Sequence, residues 1–343
     1  MATLPPFNIG PATEGNTQQQ VSPTTPQDLQ APPRGKQSLI TEVFRGIWHV
    51  VSLNWKMGLG FTIVGIFILL AIFGPLLARY NPSQLSQDIL QPPSAQHWLG
   101  TTQAGEDVFA QVMIGTRYSI FWGLITAILV TFIYVAIGLS AGYFSGIIDD
   151  ILMAITNVFI VIPSIPLMLV IAAYIPYKGS LLVVIAIAIT SWAGHARTLR
   201  SQTLSVRNRD FVEAARVSGL PTWRIIFQEI FPNMITIVAA GFVGTMIGVI
   251  LAAAGLEYLG LGDIRSVSWG SMFYWAQSGD ALLQGAWWWF VPPGICILAL
   301  SAALAFINLG LDELADPRLR IEQPGSKRRK KDSQSEEPVL IAE

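Results

Sequence analysis

The chain has 343 residues, 52% hydrophobic and only 13% charged, with a net charge of −1. Soluble domains carry about a quarter charged residues, so this composition indicates a membrane protein, and no nucleic-acid partner is expected. Cys296 is the single cysteine, which excludes an intrachain disulfide; His49, His97 and His195 lack metal-ligand spacing, so neither a metal site nor a cofactor is expected.

Residues 1–37 are rich in Pro, Gln and Thr and hold almost no aliphatic pattern. Such a segment buries too little apolar surface to offset its ordering entropy, and a disordered tail is expected there. It lacks the charged-then-apolar order of a secretory signal. In residues 38–56, Phe44, Ile47, Trp48 and Val51 fall on one helical face beside Glu42, Arg45 and Lys56. That spacing predicts an amphipathic helix at the membrane surface; the alternative is a polar lead-in to the first span.

Six apolar runs follow, at 57–78, 118–141, 151–175, 181–198, 234–256 and 287–310. Each is near the ~20 residues that a bilayer-spanning helix needs, which predicts an all-α polytopic membrane fold. The third run holds Pro163 and Pro166, which should kink it and place it beside a substrate path. The fourth fades into polar residues near Trp192 and His195. Gly138, Gly142 and Gly146, at and just past the end of the second run, and Gly244 and Gly248 in the fifth, recur every four residues, a pattern that lets helices approach closely.

Between the fourth and fifth runs lies a polar interruption, residues 207–233, RNRDFVEAARVSGLPTWRIIFQEIFPN. Asp210 reads as an N-cap with Glu213 three positions on, an approximate capping box. Gly219 supplies a left-handed stop, and Pro221 suits the start of a second helix running until Pro232 disturbs it. The expectation is a compact helix–turn–helix knob; its bland reading is an ordinary capped loop.

Glu213-Ala214-Ala215, then Gly219, then Ile230-Phe231-Pro232 resembles the EAA loop of the permease subunits of bacterial ABC importers, and the wider string resembles the dipeptide, oligopeptide and nickel type. Three further stretches follow the same family's order, so the resemblance covers roughly residues 97–320. HWLGTTQAGEDVF, before the second run, is similar to HxLGTDxxGRDV, with Thr102 in place of the usual Asp and Glu106 in place of the usual Arg. LEYLGLGDIRSVSWG, after the fifth, is similar to LSFLGLG…PSWG; Gly260 and Gly262 permit tight turns there, while Trp269, Trp275 and Trp287–Trp289 suit an interfacial aromatic belt. INLGLDELADPRLR, after the sixth, is a shortened form of the family's terminal signature, and Glu229 stands where these permeases usually have His.

The resemblance implies six transmembrane helices of the type I importer permease fold. An outer segment spans 79–115, a five-helix domain 116–310, and a cytoplasmic tail 311–343. It implies that Glu213, Ala214, Ala215, Gly219, Pro232 and Asn233 couple to the ATPase, with the two alanines giving a low-profile docking face. The implied partners are a homologous second permease, two cytoplasmic ATPase subunits and an external substrate-binding protein; a lipid contact suits the basic tail block KRRKK. No GxxxxGK[ST] occurs, so ATP hydrolysis would belong to separate chains, and this chain would not be an enzyme. Lys and Arg divide 17 to 4 if the amino terminus is placed inside, which predicts an inner-membrane protein with both termini and the 207–233 loop cytoplasmic. An ion-coupled transporter or channel is the alternative, but it needs ionisable residues inside the spans, and the runs hold almost none. An intramembrane enzyme would need clustered catalytic groups. The transported solute is not legible: peptide, nickel and glutathione all remain open.

Overall fold

The structure is a computed structural model that describes residues 55–176 and 179–315. The predicted disordered tail and nearly all of the predicted surface helix lie outside those residues, as does most of the carboxyl-terminal tail. The described chain is all-α. Four helices are long and apolar enough to cross a membrane, and two bent pairs bring the number to six when each pair is one crossing.

Helix α1 is Trp55–Leu77. Helix α2, Val108–Phe144, begins ten residues before the apolar run because Asp107 caps it, its carboxylate accepting the Ala110 N–H at 2.8 Å. Its 37 residues span roughly 55 Å.

The third crossing is broken into α3, Ile147–Val161, and α4, Ser164–Tyr174, at an angle of 93°. Pro163 makes the break: Ile162 before it is extended, with φ −75° and ψ 124°, as the residue before a proline tends to be. Pro166 falls in the first turn of α4, where a missing N–H costs nothing, so only one of the two prolines bends the chain.

The fourth crossing is α5, Ser180–Thr190, and α6, Ala193–Arg207, bent by 43°. The helix continues nine residues past the apolar run, through polar sequence, because Ala196, Leu199, Thr203 and Val206 are buried and α6 lies along α2.

Helix α7 is Asp210–Val217. Helix α8 runs without a break from Thr222 to Tyr258, α9 is Trp269–Ser278 and α10 is Trp287–Ala315. The second knob helix therefore does not end at Pro232. It passes into the fifth span, and the proline is accommodated by a π-helical segment, Ile225–Ile230, in which Phe231 N–H reaches back to Ile226 O.

Helices α1 and α10 pack antiparallel and very close. A Cβ on Gly60 would lie 2.6 Å from Ala303 O, and one on Gly310 would lie 2.9 Å from Met57. The sequence pattern had pointed to other glycines. Gly138 and Gly142 do press against α6, but Gly146 lies between α2 and α3 at φ +65° and touches nothing within 4 Å. Gly244 meets only His195, 3.8 Å away, and Gly248 meets nothing. Within the described residues, a Cβ on Gly146 or Gly248 would meet no helix, and one on Gly244 would reach only the His195 ring of α6.

The aromatic belt also needs correction. Trp269 and Trp289 are buried, with Trp269 edge-on to Phe67 in the core, while Trp275 and Trp287 are exposed.

Candidate functional site

The 207–233 knob stands on a fixed base. The Arg207 guanidinium donates to Tyr143 O and Ser145 Oγ, both at 2.9 Å, tying the end of α6 to the end of α2. About two turns further back, Arg200 forks onto both oxygens of Asp149 on α3, and Arg197 donates to Asn157. Three arginines of α6 thus hold the loop's stem to the helices before it. This clamp joins residues far apart in sequence, and no local pattern announces it.

In α7, Arg209 is the N-cap and Asp210 is already the first helical residue. No side chain caps this end, so the expected Asp210–Glu213 capping box is absent. Asp210 and Glu213 instead place negative charge in the first turn and Arg216 positive charge in the last, matching the helix dipole. The far end closes as a Schellman motif: Gly219 N–H donates to Arg216 O at 3.0 Å and Leu220 N–H to Ala215 O at 3.2 Å, with Gly219 at φ +74°. Pro221 sits just ahead of α8, and its carbonyl accepts from Arg224 and Ile225.

The two alanines face opposite ways. Ala215 and Val212 are buried among Leu199, Ile225, Ile226 and Ile230, whereas Ala214 and Glu213 are exposed. The expectation that Ala215 offers an outward docking face is therefore corrected: it packs the chain's own core. Four large apolar side chains project outward among the charged ones: Phe211, Val217, Trp223 and Phe227 are all exposed, with Val217 at 85%. Arg224 lies over the Trp223 ring and Arg216 over Tyr143. Pro232 and Asn233 are exposed on α8, and Asn233 Nδ2 donates to Glu229 O.

A second feature lies within the bundle. A cavity of about 670 Å³ is bounded by Ser164 and Met168 of α4, by Ser191 and His195 at the α5–α6 break, and by Gly244, Thr245 and Gly248 of α8. Both broken crossings break beside it, the setting in which interrupted helices are tolerated. Its walls are mostly apolar. The Thr245 hydroxyl is buried without a hydrogen-bond partner. Gly244 and Gly248, expected to pack helices, form a smooth wall of this space.

The end of the bundle away from the knob is tied by polar contacts. His97 Nδ1 and Asp107 lie 2.7 Å apart, and Trp288 Nε1 donates to Thr101 O. Ser268 caps α9 and donates to the buried Glu257 carboxylate. Glu257 sits one residue beyond the fifth apolar run. Thr102 and Glu106 meet across a turn: Glu106 N–H donates to Thr102 Oγ1 at 3.2 Å.

The family described as binding-protein-dependent transport system inner membrane component matches residues 134–321. That stretch is more than half of the chain and contains the knob, the broken crossings and the cavity. The chain belongs to this family. The N-terminal TM domain of oligopeptide transport permease C also matches, over residues 44–93.

The permease is 33% identical over 296 residues to oligopeptide transport system permease protein OppC of Bacillus subtilis (strain 168), covering 83% of this chain and 94% of that protein. It is 34% identical over 277 residues to dipeptide transport system permease protein DppC of the same organism, covering 80% and 85%. A match of 31% extends over 259 residues of the OppC protein of Lactococcus lactis subsp. cremoris (strain SK11), covering 75% of this chain and 88% of that protein. The chain is a multi-pass membrane permease subunit of a binding-protein-dependent importer.

Proposed function

We propose that this permease forms half of the translocation path of an ATP-driven importer for peptides or a related small solute, and that residues 207–233 are the surface on which separate ATPase subunits act. One observation carries the reading of the loop: a crown of exposed Phe211, Val217, Trp223 and Phe227 on a helix pair anchored from beneath by Arg207, Val212 and Ala215. Exposed apolar groups clustered on a polar rim mark protein contact sites, and a rigid base lets a push on the knob move α6 and α8 together. The peptide assignment rests on the names of the relatives, which are oligopeptide and dipeptide permeases. The remaining partners would be a homologous second permease, a pair of ATPases and an external binding protein. Both termini and the knob are assigned to the cytoplasmic side on the division of Lys and Arg. The cavity beside the two broken crossings is this chain's share of the path, and ATP hydrolysis belongs to the partners.

The two alanines supply the test. Ala214→Trp adds bulk to the outer face of α7 and should abolish ATPase co-purification while leaving the chain inserted and monodisperse. Ala215→Trp adds the same bulk to the inner face and should lower the melting temperature of the chain itself. Normal ATPase association and transport in Ala214→Trp would overturn the assignment of the knob.

A further inference from the structure

At the end of the bundle opposite the knob, a cavity of about 520 Å³ opens between the segment before α2 and the turn before α9. Its walls include Glu106 and Gln111 on one side and Arg265, Ser266, Ser271 and Trp275 on the other. Glu106 Oε2 accepts from Gln111 Nε2 at 2.8 Å and, more distantly, from Thr102 Oγ1 at 3.4 Å. No cationic side chain lies within 4.0 Å of this carboxylate among the described residues. Burial is the larger influence on its acidity and pushes its pKa up from the usual carboxylate range, against the two hydrogen bonds.

Across the cavity Arg265 is exposed. Its backbone N–H is held by Asp263 Oδ1 at 3.1 Å, and its guanidinium makes no hydrogen bond or ion pair among the described residues. The Asp263 carboxylate is also engaged by Ser266 Oγ at 2.6 Å.

Both charges stand on fixed backbone. Glu106 is followed by Asp107, the cap of α2, and Arg265 belongs to the turn that Ser268 and Ser271 lock by reciprocal capping of α9. One concave space therefore holds a part-buried carboxylate and a solvent-facing guanidinium that do not pair with each other, and hydroxyls and an indole also line it. A half-buried carboxylate without a cation is costly, and a ligand that brings the cation offsets that cost. The volume suits a small molecule, since ligand pockets run from about 300 to 1,000 Å³.

We infer that this cavity binds a zwitterionic amino compound of short-peptide size, its ammonium against Glu106 and its carboxylate against Arg265, before the solute enters between the helices. The inference rests on the reading of the chain as a permease for peptides.

The test uses the assembled complex of this chain with its sister permease and ATPases, in nanodiscs without binding protein, and radiolabelled trialanine as the probe. Wild-type complex should bind trialanine saturably. Glu106→Gln should weaken that binding by about tenfold, the size of one lost charge-assisted contact, and should leave N-acetyl-trialanine unaffected. Arg265→Gln should act likewise on trialanine and not on its carboxyl-terminal amide. Equal binding of blocked and free peptides overturns the inference, as does unchanged trialanine binding in both variants. If, in a parallel measurement with the binding protein added, the variants lose only affinity for that protein, the cavity is part of a docking face and the inference is also overturned. Absence of trialanine binding in a complex that retains its ATPases and hydrolyses ATP sinks the inference alone. Failure of the wild-type chain to recruit ATPases sinks the reading beneath it, and the inference with it.

Discussion

A Cβ built on Gly138 would lie 2.9 Å from both Ala196 O and Leu199 Cβ, whereas one built on Gly248 meets nothing within 4 Å. Gly142 is closed in by Thr203 and the Arg200 carbonyl, while Gly244 has only the edge of His195 at 3.8 Å. The two pairs share one spacing, on α2 and α8, and have different neighbours. On α2 the smooth stripe is covered by α6, and the helix backbones touch. On α8 it borders the cavity beside the broken crossings. Small residues every four positions make a smooth helix face; whether another helix or a solute meets that face depends on the packing of distant elements.

The comparison breaks most readily at Gly142. Gly142→Leu drives a side chain into Thr203 and the α6 backbone, and overpacking of this kind costs about 1–3 kcal/mol or more. We expect a large loss of monodisperse material on size exclusion and a lowered melting temperature. Gly248→Leu should fold and melt like the wild type, because its methyls enter open space, yet should reduce solute uptake by narrowing the cavity. Equal destabilisation by both substitutions would show that α8 is covered by a helix, for instance that of the sister permease, and would remove its glycines from the path.

A smaller effect is expected beside the tight crossing. Asp149 receives both arms of the Arg200 guanidinium, whose backbone lies against Gly138 and Gly142. Asp149→Asn leaves a partly buried guanidinium without its counter-charge, a cost of about 1–3 kcal/mol once the pair's partial exposure is allowed for. The double substitution Asp149→Asn with Arg200→Gln should recover part of that loss. Additive costs in a double-mutant cycle would mean that the crossing is held by the glycine contacts alone.

The elements that the sequence made legible are those determined locally. Gly219 marks a helix end because few other residues adopt φ +74° cheaply, and Pro163 marks a break because it removes a donor and extends Ile162. The apolar runs likewise announce membrane helices, since lipid demands them whatever their neighbours. The rest depended on long-range packing. Helix α6 outlasts its apolar run because Leu199, Thr203 and Val206 find α2, and nothing in the sequence of α6 states where α2 lies. Pro232 looked like a stop, but the preceding turn widened into a π segment and let the helix continue. Trp269 looked interfacial by type and proved to be core, edge-on to Phe67. The candidate docking loop was legible in position but not in facing: the pair Ala214-Ala215 was visible, and which alanine turns inward followed only from Val212 sharing the buried side.

The smallest expected effect falls on Glu213, and it separates fold from contact on the knob. Its side chain is exposed and caps nothing, so Glu213→Ala removes only a favourable charge from the first turn of α7. Such dipole contributions are about 0.3–1 kcal/mol and are screened by salt, which leaves the melting temperature of the chain almost unchanged. If the knob is the ATPase-bearing surface, Glu213 stands on its outer face beside Ala214, and its loss should weaken ATPase co-purification without affecting insertion. If Glu213 serves only the helix, the small stability change and any loss of ATPase binding should both fade as salt is raised. A reduction in ATPase association that persists when α7 is stabilised by other means, in a chain that melts like the wild type, can come only from a direct contact. The opposite outcome, a destabilised chain with normal ATPase association, would turn Glu213 into a fold residue and leave Phe211, Val217, Trp223 and Phe227 as the docking surface.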